Sequence, residues 1–216
     1  MKLLGLFFFL TTAVCGLAQE KSYTIVFLNK KVSVEQLNED TAQKLMDGHM
    51  ANIRRLAKEG KLLAAGPFEG GGGMFIFNTT SEEEAQGWLI TDPAVRAGRW
   101  TIEMLPYTPR TGSVCPAAEP VEMVLYTFVR FTAVVQKYNA SNSPILIRQH
   151  EAYMKQVVEP SDVVSEAIFG PNEGGILILR SELPADAFLN DPGVQQGLLD
   201  VQIKKLYVAK TSFCEE

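Results

Sequence analysis

Four runs of β-branched, aromatic and aliphatic residues mark the first half of the chain. "YTIVFLN" (Tyr23 to Asn29), "LLAAGPF" (Leu62 to Phe68), "MFIFN" (Met74 to Asn78) and "WTIEMLPY" (Trp100 to Tyr107) each predict a strand. Between the first two, Leu45, His49, Ile53 and Leu56 fall on one face at helical spacing, and Ser33 with Gln36 has the form of a capping box that opens this helix. Gly70 to Gly73 supply the turn between the next two strands, and a second capping box, Ser81 with Glu84, opens a shorter helix. The predicted order is βαββαβ.

The second half gives the same order. "VEMVLYTFVRF" from Val121 is followed by a helix with Leu146, His150, Met154 and Val157 on one face, then "VVSEAIF" from Val163, "GILILR" from Gly175, a short helix and "LDVQIKKLYVA" from Leu199. A sheet with one wet face alternates apolar and polar residues, yet "TIVFL", "MFIF" and "ILIL" do not. Both faces are therefore covered, one by the helices of the same unit and the other by the sheet of the second unit. The fold class is α+β: two ferredoxin-like units packed as a pseudo-symmetric dimer within one chain.

Fixed landmarks support reading the two halves as copies. "DPAVRAG" at Asp92 returns as "DPGVQQG" at Asp191, 99 residues later, and the chain's two histidines, His49 and His150, lie 101 apart. Each histidine is followed by a Gly-Pro pair (Gly66-Pro67, Gly170-Pro171), a glycine turn, a hydrophobic run, the Asp-Pro phrase, and a cysteine 17 residues beyond that phrase's glycine. The stretch Thr108 to Pro120 is rich in Pro, Gly, Ser and Ala and reads as a connection. The domains are residues 19–108 and 121–216, with 109–120 as linker.

Residues 1–18 change the picture of location. Lys2, the apolar run Leu3 to Leu10 and the small residues ending in Ala18 have the three-part form of a secretory signal peptide, with cleavage expected after Ala18. The expected protein is secreted or periplasmic, with no membrane attachment after cleavage. The formal net charge of −5 becomes −6 when Lys2 is lost, and the chain has no basic cluster, which argues against nucleic acid as a partner. A small-molecule ligand is the expected partner. Cys115 and Cys214 remain, and in an oxidising compartment they can pair. There is no CxxC pair, no G-x-S-x-G elbow and no phosphate-loop spacing at Gly70 to Gly73, so no metal or cofactor is expected.

The words "GHMANIRRLAKEGKLLAAGPF", with "SEEEA" and "DPAVRAG" downstream, resemble the YciI-like (YCII-related) family, over about Tyr23 to Tyr107. The second half, about Val121 to Ala209, resembles it more faintly: His150, Gly170-Pro171 and Asp191-Pro192 persist, while the "ANIRRL" and "GKLLAAG" wording is lost. The resemblance implies small ferredoxin-like domains paired into a dimeric α/β barrel, with a pocket where a helix histidine and the Asp-Pro aspartate act together. Those residues are His49 and Asp92, with His150 and Asp191 as the weaker pair, and Gly66 and Pro67 as substrate-binding positions. Some relatives resemble enzymes of aromatic-compound breakdown, dehalogenation included.

A histidine beside a carboxylate can move protons near neutral pH, which suits an isomerase, a lyase or a dehalogenase-like reaction. The alternative is a non-catalytic ligand-binding or protein-interaction module in which the histidine is a satisfied core residue. Asp92 has its own structural reading, because Asp-Pro is a good helix N-cap pair. Both readings stand at the level of sequence.

Overall fold

A computed structural model describes residues 21–33, 36–170 and 174–214. The expected signal segment and Pro171 lie outside the described residues. The first half runs β1 (Tyr23–Lys30), α1 (Glu39–Lys58), β2 (Leu62–Pro67), β3 (Gly73–Phe77), α2 (Glu82–Leu89), α3 (Pro93–Arg96) and β4 (Trp100–Thr111). After the two-residue strand β5 (Ser113–Val114), the second half runs β6 (Met123–Ala133), α4 (Ser143–Val157), β7 (Val163–Gly170), β8 (Gly174–Leu179), α5 (Pro192–Gln195), β9 (Leu199–Ala209) and the short β10 (Phe213–Cys214).

Eight strands form one antiparallel sheet in the order β2-β3-β1-β4-β7-β8-β6-β9. The join between halves is β4 with β7, where Thr108 faces Ile168 and Thr111 faces Glu166. At the other end, Phe68 bridges Leu206 and the Glu69 N–H donates to the Lys205 carbonyl at 2.9 Å, so β2 meets β9 and the sheet curls back on itself. A ring of strands leaves no long open edge.

The non-alternating strands follow from this closure. Ile25 and Phe27 point into the ring, where they pack with Met74, Ile76, Phe128 and Leu206, while Val26 and Leu28 point outward beneath α1 and α2. The second half has its own outer cluster around Val129, Leu177, Leu179 and Phe188, against α4. Each strand is apolar on both faces because both faces are buried.

Two local expectations are revised. The first helix begins at Glu39 instead of near Ser33, with Asn38 as N-cap accepting the Thr41 N–H at 2.9 Å, and Glu39 and Asp40 occupy the dipole-favoured first turn. The stretch expected to be a plain connection carries strand: β4 continues to Thr111 because its backbone finds β7, and β5 pairs with β10. The second capping box forms at Ser81, whose hydroxyl accepts the Glu84 N–H at 3.2 Å. Thr79 relays its return arm, donating to the Glu84 carboxylate and accepting the Ser81 N–H.

The β5–β10 ribbon carries the disulfide Cys115–Cys214, with Cα atoms 5.5 Å apart. Its neighbours Val114 and Phe213 are buried in the ring interior. Among the described residues, no helix is long and apolar enough to cross a membrane.

Candidate functional site

Asp92 sits in extended conformation before Pro93, and its Oδ1 accepts the backbone N–H groups of Ala94 at 2.9 Å and Val95 at 3.2 Å. It is therefore the N-cap of α3, with proline at the first helical position. Its other oxygen, Oδ2, faces α1 and lies 2.7 Å from His49 Nδ1 and 3.5 Å from Asn52 Nδ2. One carboxylate thus fills both roles that the sequence left open. Gly48 lets the two elements meet, since a Cβ there would stand 2.6 Å from Pro93 Cγ.

Asp191 repeats the arrangement in the second half. Its Oδ1 accepts the Gly193 N–H at 2.7 Å and its Oδ2 lies 2.5 Å from His150 Nδ1. Both aspartates are fully buried, so neither carboxylate reaches a ligand directly. Burial pushes the Asp92 carboxyl upward, but the His49 bond and charge and the Val95 and Ala94 N–H groups outweigh it, holding the group below the usual carboxylate range. An ionised acceptor at Nδ1 requires the proton on that nitrogen, which leaves Nε2 as the ring nitrogen available to a ligand.

The surroundings of the two histidines differ. The His49 ring is 9% exposed, stacked at 5.9 Å on Phe75 and tilted at 5.1 Å against Trp100. Among the described residues, the aromatic partner of His150 is Phe131, edge-on at 4.8 Å. Register explains the change: Leu177 opposes Val129 as Phe75 opposes Val26, and Leu199 opposes Ala133 as Trp100 opposes Lys30. Two leucines stand where the first half has Phe and Trp. A cleft of about 630 Å³ opens there, lined by His150, by apolar side chains including Phe131, Tyr138, Ile147, Leu177 and Leu199, and by Arg110, Glu151 and Glu166. That volume suits a small organic ligand. The wording of the sequence ranks His49 first, yet the open cleft lies beside His150.

Gly66 and Pro67 are not brought into such a cleft. Gly66 is at the seam of the ring, where a Cβ would lie 2.5 Å from the Tyr207 carbonyl oxygen, so its lack of a side chain lets β2 meet β9. Pro67 is exposed at the end of the same strand. Gly170 does line the His150 cleft.

The sequence reading missed several members of the site. Asn52 Oδ1 accepts from both Arg55 Nη2 and the Thr91 hydroxyl, extending the His49 network to the surface. Asn52 lies one turn beyond His49, a spacing that could have signalled it. Trp100 and Arg110, from the last strand of the first half, gave no signal, since nothing in their local pattern says which histidine they approach. Among the described residues, no three His, Cys, Asp or Glu side chains are placed to hold a metal ion.

No curated protein matches the chain. One similar solved structure is a protein provisionally assigned as a chlorite dismutase, at 7% identity and TM-score 0.45, covering 90% of this chain and 95% of that one. Another is a protein from Fusobacterium nucleatum subsp. nucleatum provisionally assigned as a monooxygenase, at 8% identity and TM-score 0.48, covering 90% and 94%. Residues 23–105, the segment that carries His49, Asp92 and Trp100, match the model of the YCII-related domain.

Proposed function

We propose that the protein is an exported, internally duplicated YciI-like protein that binds a small organic molecule in the cleft beside His150. The observation that carries this is the pairing of a roughly 630 Å³ apolar cleft with a histidine whose Nδ1 is fixed by Asp191. A neutral imidazole held this way can take a proton through Nε2, and the buried carboxylate stabilises the imidazolium that forms. Proton abstraction followed by isomerisation or elimination is the reaction class this supports. His150 is the catalytic residue, and Asp191 is a positioning residue. In the first half, the enclosure of His49 between Phe75 and Trp100 favours the structural reading, in which Asp92 and His49 tie α1 to α3.

The test is a ligand screen by saturation-transfer NMR on the wild type, followed by affinity measurements on His150→Ala and His49→Ala. The expected result is a ligand set whose binding falls at least tenfold in His150→Ala and changes less than twofold in His49→Ala. Ligands indifferent to His150, with the fold intact by circular dichroism, overturn the proposal.

A further inference from the structure

The charges around the His150 cleft bear on which ligands it can take. We infer that the cleft accepts an apolar molecule whose polar head donates a hydrogen bond and carries no negative charge, and that Glu166 sets this preference. The inference rests on the ligand-binding reading above.

Among the described residues, Arg110, His150, Glu151 and Glu166 line the cleft together with the phenol of Tyr138. Arg110 is the one guanidinium among them, and it comes from the other half of the molecule, on the β4 extension that joins β7. Glu166 stands on β7 opposite Thr111, and its carboxylate lies 3.7 Å from Arg110 Nη1. The pair is solvent-exposed, so Glu166 partly offsets the one cation that could have anchored an anionic ligand. Glu151 adds a second carboxylate to the rim, and Asp191 adds a third behind the His150 ring.

With His150 neutral, the described residues of the cleft present one positive charge against two rim carboxylates, and an acceptor lone pair at Nε2. A carboxylate ligand meets like charge at the rim and an acceptor at the ring, in a setting where apolar walls lower the local dielectric. A hydroxyl or amide N–H donates to Nε2 and leaves its apolar body on Phe131, Ile147 and Leu199. The ligand's head is selected by charge and its body by burial. Removing the Glu166 charge frees Arg110, so the preference is tunable at one residue outside the His150–Asp191 pair.

The experiment measures two probes of one shape, 2-naphthalenemethanol and 2-naphthoate, by isothermal titration or equilibrium dialysis at pH 7.5 and low salt. Wild type is expected to bind the alcohol about tenfold more tightly than the carboxylate. Glu166→Gln is expected to tighten naphthoate about fivefold and to leave the alcohol within twofold, and raising salt to narrow the wild-type difference. Arg110→Gln, which leaves both rim carboxylates, is expected to weaken naphthoate further. Equal binding of both probes, with both lost in His150→Ala, overturns the charge selection and leaves the ligand site standing. No effect of Glu166→Gln on naphthoate, with wild-type discrimination present, overturns the role of Glu166. Binding of neither probe at millimolar concentration overturns the cleft as a site for such molecules and the selection with it.

Discussion

Replacing Asp92 tests the two-sided carboxylate most directly. Asp92→Ala removes an N-cap that holds two backbone N–H groups, which costs about 1 kcal/mol. It also leaves the His49 Nδ1–H without its acceptor in a pocket walled by Phe75 and Trp100, which costs about 1–3 kcal/mol more. The expected total is about 2–4 kcal/mol, or roughly 6–12 °C in Tm for a loss near 3 kcal/mol in a chain of this size. Asp92→Asn separates the two roles, because the amide oxygen still caps α3 while the charge that binds His49 is gone. It is expected to lose about half as much. A double-mutant cycle with His49→Ala isolates the His49–Asp92 coupling at about 1–2 kcal/mol. The assay is urea unfolding followed by tryptophan fluorescence and circular dichroism together. The pH dependence has a defined sign: Asp92 has a lowered folded pKa, so its contribution is complete above the unfolded carboxylate value of about 4 and is lost as pH falls through the folded value. The gap between wild type and Asp92→Asn is therefore expected to close only below about pH 4. A cost under 1 kcal/mol for Asp92→Ala, or equal costs for Ala and Asn with no His49 coupling, refutes the argument.

Other substitutions probe separate parts of the structure. Gly66→Ala drives a Cβ to within 2.5 Å of the Tyr207 carbonyl oxygen at the β2–β9 seam and is expected to cost about 1–3 kcal/mol in urea unfolding; a neutral result would mean that the seam is not closely packed. Trp100→Leu places in the first half the residue that borders the open cleft in the second, and is expected to bring the His49 ring into contact with added imidazole-binding probes, read as NMR shifts that wild type lacks. Cys115→Ser with Cys214→Ser opens a loop of 99 residues and is expected to lower stability by about 4 kcal/mol, with the same loss on adding dithiothreitol to wild type; insensitivity of wild type to the reductant contradicts it.

The strands were legible because burial on both faces leaves a plain mark, a run of apolar residues that does not alternate, as in Ile25 to Leu28 and Ile176 to Leu179. The start of α1 was not, because Ser33 and Asn38 both head plausible caps and local chemistry alone does not choose between them. The meeting of His49 with Asp92, and of His150 with Asp191, was implied by the family resemblance of the quoted motifs. Which histidine borders the open cleft was not. That depends on Phe75 against Leu177 and Trp100 against Leu199, and each pair scores alike as an apolar strand residue while differing greatly in volume. Arg110 was equally hidden, since its approach to the other half's cleft depends on the β4–β7 join, a pairing between distant segments.

The ring interior shows the same kind of difference between halves, with an energetic reason. Arg130 opposes Ile176 in β6–β8 as Phe27 opposes Met74 in β1–β3, so the two occupy equivalent register positions. The guanidinium lies 4.2 Å from the centre of the Phe27 ring and makes two bonds to Glu103, at 2.8 and 2.6 Å. Bonding to Arg130 holds the Glu103 carboxyl below its usual range despite partial burial. Glu103 opposes Phe27, and the corresponding partner of Arg130 is the uncharged Gln202. Identical halves would place two arginines or two phenylalanines here, and two arginines would need two carboxylates or leave buried charge unpaired, at a cost of several kcal/mol. A single chain can write one of each, which gives one guanidinium, one carboxylate and one aromatic face across the join. The leucines beside His150 are the same freedom applied to a cleft: the first half keeps its histidine as a tie between helices, and the second opens the space beside its own.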